Sequence, residues 1–145
     1  DCKIPIIGVV QGRALGVGCS LAALCDLTLA SDKSRYSFPE MKHDLPPALA
    51  MSALLDKVSP KAIAYMVYST DEIEAGEAKE MGIISRIVAA SYLESEVSRI
   101  SDFMLDRSSA SLIAVKEYLR SAPSMNPTAF ADFASNLLAN VLASK

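Results

Sequence analysis

A glycine-rich turn precedes a stretch of small and apolar residues near the start of the chain. Gly16-Val17-Gly18 leads into residues 19–25, Cys-Ser-Leu-Ala-Ala-Leu-Cys, which are compatible with a helix. The first N–H groups of a helix have no intrahelical acceptor and lie at the positive end of the helix dipole. Because glycine places little side chain in the way, such a turn can hold a phosphate or an oxyanion.

The glycine spacing excludes two common phosphate-binding motifs. No Gly-Lys-Ser or Gly-Lys-Thr follows the turn, so it is not a Walker A loop. Gly12, Gly16 and Gly18 also have the wrong spacing for the dinucleotide-binding fingerprint, and no acidic residue ends the strand that follows. Two interpretations stay open: an anion or oxyanion site, or a turn that only lets a helix pack closely on a strand.

A second group of chemically useful residues lies between positions 38 and 44. Glu40 follows Phe38-Pro39, and the only histidine of the chain, His43, precedes Asp44. A carboxylate held beside a substrate can remove or deliver a proton. If this segment is helical, Glu40 and Asp44 share a face because they are four residues apart. Asp44 is therefore a candidate second acid, and the alternative is that His43 and Asp44 only flank the following helix.

The composition narrows the class of protein. The chain has 145 residues, of which 51% are hydrophobic and 21% charged, and a net charge of −3, which is typical of an ordinary globular domain. Lys and Arg are scattered, so we expect no nucleic-acid partner and no membrane surface. No apolar run approaches the ~20 residues of a membrane helix. Cys2, Cys19 and Cys25 lack metal-ligand spacing, which predicts no metal and small buried thiols in the cytoplasm or an organelle matrix.

The order of apolar segments predicts an α/β domain with a helical tail. Strands are expected at residues 4–10, 26–31, 36–38 and 83–88, and helices near 90–106, 109–121 and 127–143. The first strand is apolar on both faces, which is typical of a central strand, so we expect sheet partners encoded upstream of this chain. Ser59 and Asn126, each before a proline, are predicted N-caps, and Gly82 is a predicted helix-ending glycine.

The last predicted helix carries a one-sided apolar stripe, and such a stripe must dock on the core or on a neighbouring subunit. Its members are Phe130, Phe133, Ala134, Leu137, Leu138 and Val141. Methionines such as Met41, Met51 and Met66 are candidates for an apolar pocket or for ordinary core packing.

Several ordered segments match one family pattern. The segment from Lys3 to Ala22 resembles "KPxIAAVxGxAxGGGxxLA", Cys25-Asp26 fits its "CD" continuation, and Phe38-Pro39-Glu40 is similar to "FxxPE". Residues 74–88 are similar to "IxAxxAxxxGLVxxV". Together these motifs resemble the crotonase (enoyl-CoA hydratase/isomerase) family, nearly without gaps from residue 3 to residue 88.

The resemblance implies a particular fold and assembly. Residues 1–89 would form the C-terminal part of a ClpP/crotonase-like core, a spiral of ββα units, so that the chain corresponds to the C-terminal half of a family member. Residues 90–145 would form a helical region that caps the active site and builds homotrimers or hexamers. The substrate would be an acyl-CoA thioester, and no separate cofactor is expected because coenzyme A is part of the substrate.

The resemblance also implies roles for individual residues. The N–H of Val17 would be one of two donors to the thioester oxygen, although the family usually has Gly there, and the other donor would come from an upstream loop. Glu40 matches a catalytic glutamate. Ser20 stands where hydratases of the family carry their other glutamate, and a serine can only orient a water molecule. One carboxylate suffices to move a proton between C2 and C4, so double-bond isomerisation is favoured over hydration.

Three alternatives stay open at this stage. Glu40 could work with another acid, such as Asp44, in an enoyl-CoA hydratase. The chain could be a non-catalytic acyl-CoA-binding homologue, since Ser20 replaces one acid. The third is a serine hydrolase with Ser20 and His43, because ClpP-type peptidases share this fold, but they place their serine at the turn itself, where this sequence has Gly16.

Overall fold

The computed structural model describes residues 2–144. Its helices and strands, in chain order, are β1 (Ile7–Val10), β2 (Arg13–Leu15), α1 (Val17–Leu24), β3 (Leu27–Ser31), β4 (Arg35–Ser37), α2 (Ala48–Leu54), α3 (Pro60–Ser69), β5 (Ile73–Glu74), α4 (Ala75–Glu80), β6 (Arg86–Val88), α5 (Leu93–Leu105), α6 (Ser109–Ser121) and α7 (Pro127–Ala143). The predicted α/β class is confirmed.

The chain divides into two compact units. The larger unit runs from Ile6 to Ser98, and the smaller one combines the N-terminal residues up to Pro5 with the residues from Arg99 onward. This division falls later in the chain than the functional boundary predicted after residue 89.

The first sheet of the larger unit has three parallel strands in the order β1-β3-β6. Its middle strand is β3, in which Leu29 and Ala30 are completely buried. The predicted central position of β1 depends on sheet partners encoded upstream and stays a prediction. Within the described residues β1 pairs only with β3 and lies at the edge of the sheet. Val9 is 45% exposed there, since no element of residues 2–144 covers that part of the strand.

The second sheet brings β2 and β4 together in parallel and adds β5 antiparallel to β4. The register pairs Leu15 with Ser37, the last residues of β2 and β4. The sequence prediction missed β2 and β5, because strands of three and two residues are too short to show an alternating pattern. Because β2 and β4 are parallel and in this register, both strands end at the same edge of the sheet. The segments that follow them, which begin at Gly16 and Phe38, therefore lie close together.

One apolar core connects these sheets to the helices of the larger unit. Tyr36 and Phe38, at and just after β4, are completely buried in it, as is Met66 of α3. The predicted cap Ser59 is confirmed, because its hydroxyl accepts the N–H of Ala62 at the start of α3. Of the three cysteines, Cys19 is buried as predicted and Cys25 partly so, whereas Cys2 is exposed, which corrects that prediction for Cys2.

The smaller unit is helical, as predicted. The bounds of α6 and α7 agree with the predicted helices at 109–121 and 127–143, and Asn126 caps α7 by accepting the N–H of Ala129 at 2.9 Å. Tyr118 and Phe133 stack between the two helices with ring centroids 6.2 Å apart. Phe130 and Leu138 on α7 stay exposed, so part of the predicted apolar stripe is not used inside this unit.

Two absences are relevant to function. None of the helices described in residues 2–144 is long and apolar enough to cross a membrane. Within the same residues, no group of three or more His, Cys, Asp or Glu side chains is arranged to hold a metal ion.

We expect Gly82→Ala to destabilise the larger unit. Gly82 ends α4 with φ = 86°, its N–H donates to Lys79 O at 3.1 Å, and a Cβ would come within 3.0 Å of the carbonyl oxygen of Lys57. A non-glycine residue in this conformation costs about 1–2 kcal/mol. Urea unfolding should therefore show that loss of unfolding free energy.

The matched control for this prediction is Gly76→Ala. Gly76 lies inside α4, where a Cβ would meet no atom within 4 Å, so alanine should stabilise the helix by about 0.5–1 kcal/mol. Equal unfolding midpoints for the two variants would show that the backbone at Gly82 is not constrained as described.

Candidate active site

The glycine turn is held in place by the parallel pairing of β2 and β4. Gly16 follows the last residue of β2 and has φ = 52°, a left-handed conformation that favours glycine. Its N–H donates to Ser37 O at 2.9 Å, and its carbonyl oxygen accepts the N–H of Ser20 at 3.2 Å, the first backbone bond of α1. The turn is therefore fixed on both sides by backbone hydrogen bonds.

Three N–H groups lie between these two bonds, those of Val17, Gly18 and Cys19. Within residues 2–144 none of the three donates to a protein acceptor, as expected for the first turn of a helix. A Cβ on Gly18 would meet no atom within 4 Å, so the space beside it is open. The N–H groups of Val17 and Gly18 are thus available at the positive end of α1 for an anion or a developing oxyanion.

Glu40 lies directly against this turn. It belongs to a 3-10 helix, Pro39–His43, which begins after the completely buried Phe38. A Cβ on Gly16 would collide with Glu40 Oε1, so the carboxylate occupies space that any other residue at position 16 would fill. Glu40 Oε2 is buried and has no hydrogen-bond partner in the described residues.

A buried carboxylate oxygen without a partner is rare in folded proteins and costly to maintain. At Glu40 the unpaired oxygen lies beside a turn with unpaired N–H groups, so one place in the fold offers both a base and oxyanion donors. A substrate carbonyl bound at the N–H groups would have its α-carbon protons made more acidic, and a nearby carboxylate could then remove one.

Cys19 lies close to Glu40 but is not a nucleophile. Its side chain is completely buried, and burial raises the pKa of the Cys19 thiol to about 12, with the nearby charge of Glu40 acting in the same direction. The thiolate is the reactive form of cysteine. Cys19 therefore stays a neutral core residue at neutral pH.

Ser20 is also buried, with 2% of its surface exposed. Its hydroxyl donates to Ala50 O on α2 at 3.0 Å, and Gly16 O is the other oxygen within reach, at 3.5 Å. The described structure contains no hydrogen bond from Ser20 to Glu40 or to His43, and His43 is exposed. The serine-hydrolase alternative thus lacks a nucleophile–base pair.

Asp44 is exposed and ends the 3-10 helix in a left-handed conformation, with φ = 57°. Its N–H donates to Met41 O at 3.2 Å, as part of the turn that closes the segment. The face shared by Glu40 and Asp44 was expected for α-helical spacing, but a 3-10 helix aligns residues three apart instead. In the part of the chain that the structure describes, no contact joins the Asp44 and Glu40 carboxylates.

Residues of α2, of α3 and of the segments before them line an apolar groove of about 570 Å³. Its lining residues are Met41, Pro46, Pro47, Ala48, Met51, Ser52, Leu55, Pro60, Ile63, Ala64, Val67 and Tyr68. Met41, the neighbour of Glu40 in the chain, and Met51 were predicted candidates for such a pocket, whereas Met66 is completely buried in the core. The bond from Ser20 to the carbonyl group of Ala50 could not be predicted, because a backbone acceptor leaves no signal in residue types.

A family model matches the whole chain, and known proteins match most of it. A model of the enoyl-CoA hydratase/isomerase family matches residues 1–145, which extends the resemblance past residue 88 into the helical tail. A probable enoyl-CoA hydratase of Mycobacterium leprae is 34% identical over 116 residues, covering 79% of this chain and 45% of that protein. The 2,3-dehydroadipyl-CoA hydratase of Escherichia coli is 32% identical over 117 residues, covering 80% and 46%.

Solved structures agree with the sequence matches. The crystal structure of human enoyl-CoA hydratase domain-containing protein 3 superposes with a TM-score of 0.91 at 28% identity, covering 97% of this chain and 56% of that one. The architecture around the glycine turn is therefore the crotonase fold. The chain spans about half the length of these relatives. By its sequence and by its fold, this chain belongs to the enoyl-CoA hydratase/isomerase family.

Proposed function

We propose that the protein is an acyl-CoA-processing enzyme that forms a thioester enolate and moves a proton with Glu40. The observation that carries this proposal is the buried, unpaired Oε2 of Glu40 beside the free N–H groups that follow Gly16. Val17 N–H would hold the thioester oxygen. The family usually has glycine at this position, and valine keeps the same backbone N–H donor. The side chain of Val17 is 52% exposed.

Isomerisation of the double bond is the reaction that the residues favour. Hydration needs one group to activate water and another to protonate C2, whereas isomerisation needs one carboxylate that reaches C2 and C4. Glu40 is available for this role, and the Ser20 hydroxyl is already bonded to Ala50 O. Asp44 is exposed, and within the described residues its carboxylate makes no hydrogen bond with the carboxylate of Glu40.

Enoyl-CoA hydration is the second candidate, because the relatives that match this chain are named hydratases. It would require a second acid or a water molecule held by groups other than Ser20. A non-catalytic acyl-CoA-binding homologue is the remaining alternative, and a turnover assay separates it from both enzymes.

The family and the site both support an acyl-CoA thioester as the proposed substrate class. An acyl-CoA thioester would place its carbonyl oxygen at Val17 N–H, with the second N–H supplied by a segment that precedes these residues in family members. We propose accordingly that this chain corresponds to the C-terminal half of such a protein. Coenzyme A is part of the proposed substrate, so the reaction would need no separate cofactor. The free cysteines are compatible with the cytoplasm or an organelle matrix as the location of the protein.

We further propose that the protein forms homotrimers or hexamers through its helical tail. An apolar groove of about 330 Å³ lies between α6 and α7, and Val115, Leu119 and Leu138 on its walls are 59–65% exposed. Contiguous exposed apolar surface of this kind marks protein–protein contact sites. A second copy of the chain, as in other family members, would cover it.

We expect Glu40→Gln to abolish most turnover of 3-enoyl-CoA. Removing a general base costs typically about 10²–10⁴-fold in rate, and glutamine keeps the shape of the side chain. The measurement is the rate of conversion of 3-enoyl-CoA to 2-enoyl-CoA, with circular dichroism to confirm an unchanged fold. Asp44→Asn is the comparison variant, because asparagine tolerates the left-handed conformation at that position.

The outcome of this pair decides between the candidates. Isomerisation that survives Glu40→Gln would contradict the proposed role of Glu40. Brisk hydration of crotonyl-CoA that is lost in Asp44→Asn would instead favour a two-acid hydratase.

Gly16→Ala should reduce turnover at least as strongly as Glu40→Gln. The new Cβ would collide with Glu40 Oε1, and φ = 52° is strained for alanine, so both the carboxylate and the N–H groups would move. Gly12→Ala is the matched control, since a Cβ there meets no atom within 4 Å. Equal activity of the two variants, both folded, would show that the contact between Gly16 and Glu40 is not needed.

Leu138→Asp should dissociate the oligomer, because a buried unpaired carboxylate is unfavourable in an apolar interface. Asn136→Asp, an equal change of charge on the exposed surface of α7, should leave the assembly intact. Sedimentation velocity of the wild type and both variants measures the association state. A monomeric wild type, or identical sedimentation of Leu138→Asp, would refute the proposed interface.

A further inference from the structure

The hydroxyl group of Ser20 joins two helices. Ser20 lies on α1, and its Oγ donates to the carbonyl oxygen of Ala50 on α2 at 3.0 Å, a bond between residues 30 positions apart. The competing acceptor, Gly16 O, is farther away at 3.5 Å and belongs to the turn before α1. A serine hydroxyl has one proton to donate, so the bond to α2 is the principal one.

Helix α2 depends on contacts of this kind. It has seven residues, and a helix this short is not stable by itself in water. Pro47 at its N-cap provides no side-chain cap, so no local bond of that type fixes its start. Its only buried residues are Ala50 and Leu54. The packing of these two residues and the bond from Ser20 therefore contribute to the position of α2.

Helix α2 presents a different set of residues to the apolar groove. The groove is lined by Met41, Pro47, Met51, Leu55, Ile63 and Tyr68, among others, and Ala50 is not one of them. One side of α2 is thus bonded to α1, and the other forms a wall of the groove. Met41 lines the groove and follows Glu40 on the 3-10 helix, so one element carries both the carboxylate and part of the groove lining.

The volume and lining of the groove fit an apolar chain better than a polar ligand. Pockets of about 300–1,000 Å³ lined by apolar side chains are typical of small-molecule sites, and this one has about 570 Å³. None of its lining residues carries a charge. Ser52 already donates its hydroxyl to Ala48 O at 2.8 Å. If Glu40 acts on an acyl-CoA, as proposed above, this groove is where the acyl group would extend.

We propose that Ser20 is a positioning residue that holds α2 as one wall of an acyl-binding groove, and thereby determines which acyl chains reach Glu40. This inference rests on the proposed function for its substrate class. Under this proposal Ser20 does not replace the glutamate that family hydratases carry at this position, because its hydroxyl donates to a carbonyl group and not to a water molecule. A glutamate at position 20 would lose that bond, since an ionised carboxylate cannot donate to Ala50 O.

The test compares Ser20→Ala with Ser20→Thr, which keeps the hydroxyl, and with Ser95→Ala. Ser95 is a matched control, because its hydroxyl also donates to a carbonyl, Tyr92 O at 2.9 Å, but in an exposed local contact. Amide hydrogen exchange is measured for α2 and for α7. We expect Ser20→Ala to speed exchange in α2 by about tenfold, as for loss of a buried hydrogen bond, with α7 unchanged.

The second readout is kinetic. With a series of enoyl-CoA substrates, KM for long acyl chains should rise several-fold in Ser20→Ala relative to KM for short ones, while kcat changes less. A catalytic acid would instead lower kcat for all chain lengths. Ser20→Thr should restore both the exchange protection of α2 and the chain-length preference.

Each outcome bears on a separate claim. Wild-type exchange of α2 in Ser20→Ala would overturn the anchoring role of Ser20. A loosened α2 with an unchanged preference for chain length would overturn its role in specificity. Absence of any thioester turnover in the wild type would contradict the proposed function, and the exchange measurement would still decide whether Ser20 anchors α2.

Discussion

The close approach of the Glu40 carboxylate to a residue without a side chain is the contact on which the candidate site depends. Any Cβ at position 16 would collide with Glu40 Oε1, and φ = 52° further restricts that position to glycine. The approach keeps Glu40 Oε2 buried without a partner, which a protein maintains only where the surrounding structure enforces it. The enforcing structure here is a pair of short parallel strands.

The register of β2 and β4 explains how two distant segments meet. Leu15 pairs with Ser37, so Gly16 and the residues before Glu40 leave the same edge of the sheet. The bond from Gly16 N–H to Ser37 O joins the two segments directly, and the completely buried side chain of Phe38 fixes the start of the 3-10 helix. A slip of the strands by one residue would exchange buried and exposed faces and separate the carboxylate from the turn.

The sequence predicted the long elements and the candidate residues but not their local geometry. The helices α6 and α7 were clear because capping residues and apolar periodicity agree over many turns, and the turn at Gly16 was clear from its glycines. The pairing of β1 with β3 could not be predicted, because the apolar composition of a strand does not specify which strand it pairs with. Two features of the site depend on tertiary packing, which local residue types do not specify. They are the bond from Ser20 to Ala50 O and the 3-10 geometry of the segment between Glu40 and Asp44.

The most direct test of the account is exchange of the C2 protons of a saturated acyl-CoA in D₂O, followed by NMR, because it detects enolate formation without requiring either isomerisation or hydration. The account predicts that deuterium enters C2 in the presence of the wild-type protein and that Glu40→Gln removes this incorporation. Binding of the acyl-CoA without any exchange at C2, or exchange that Glu40→Gln leaves unchanged, would contradict the claim that Glu40 and the Gly16 turn together form the proton-transfer site.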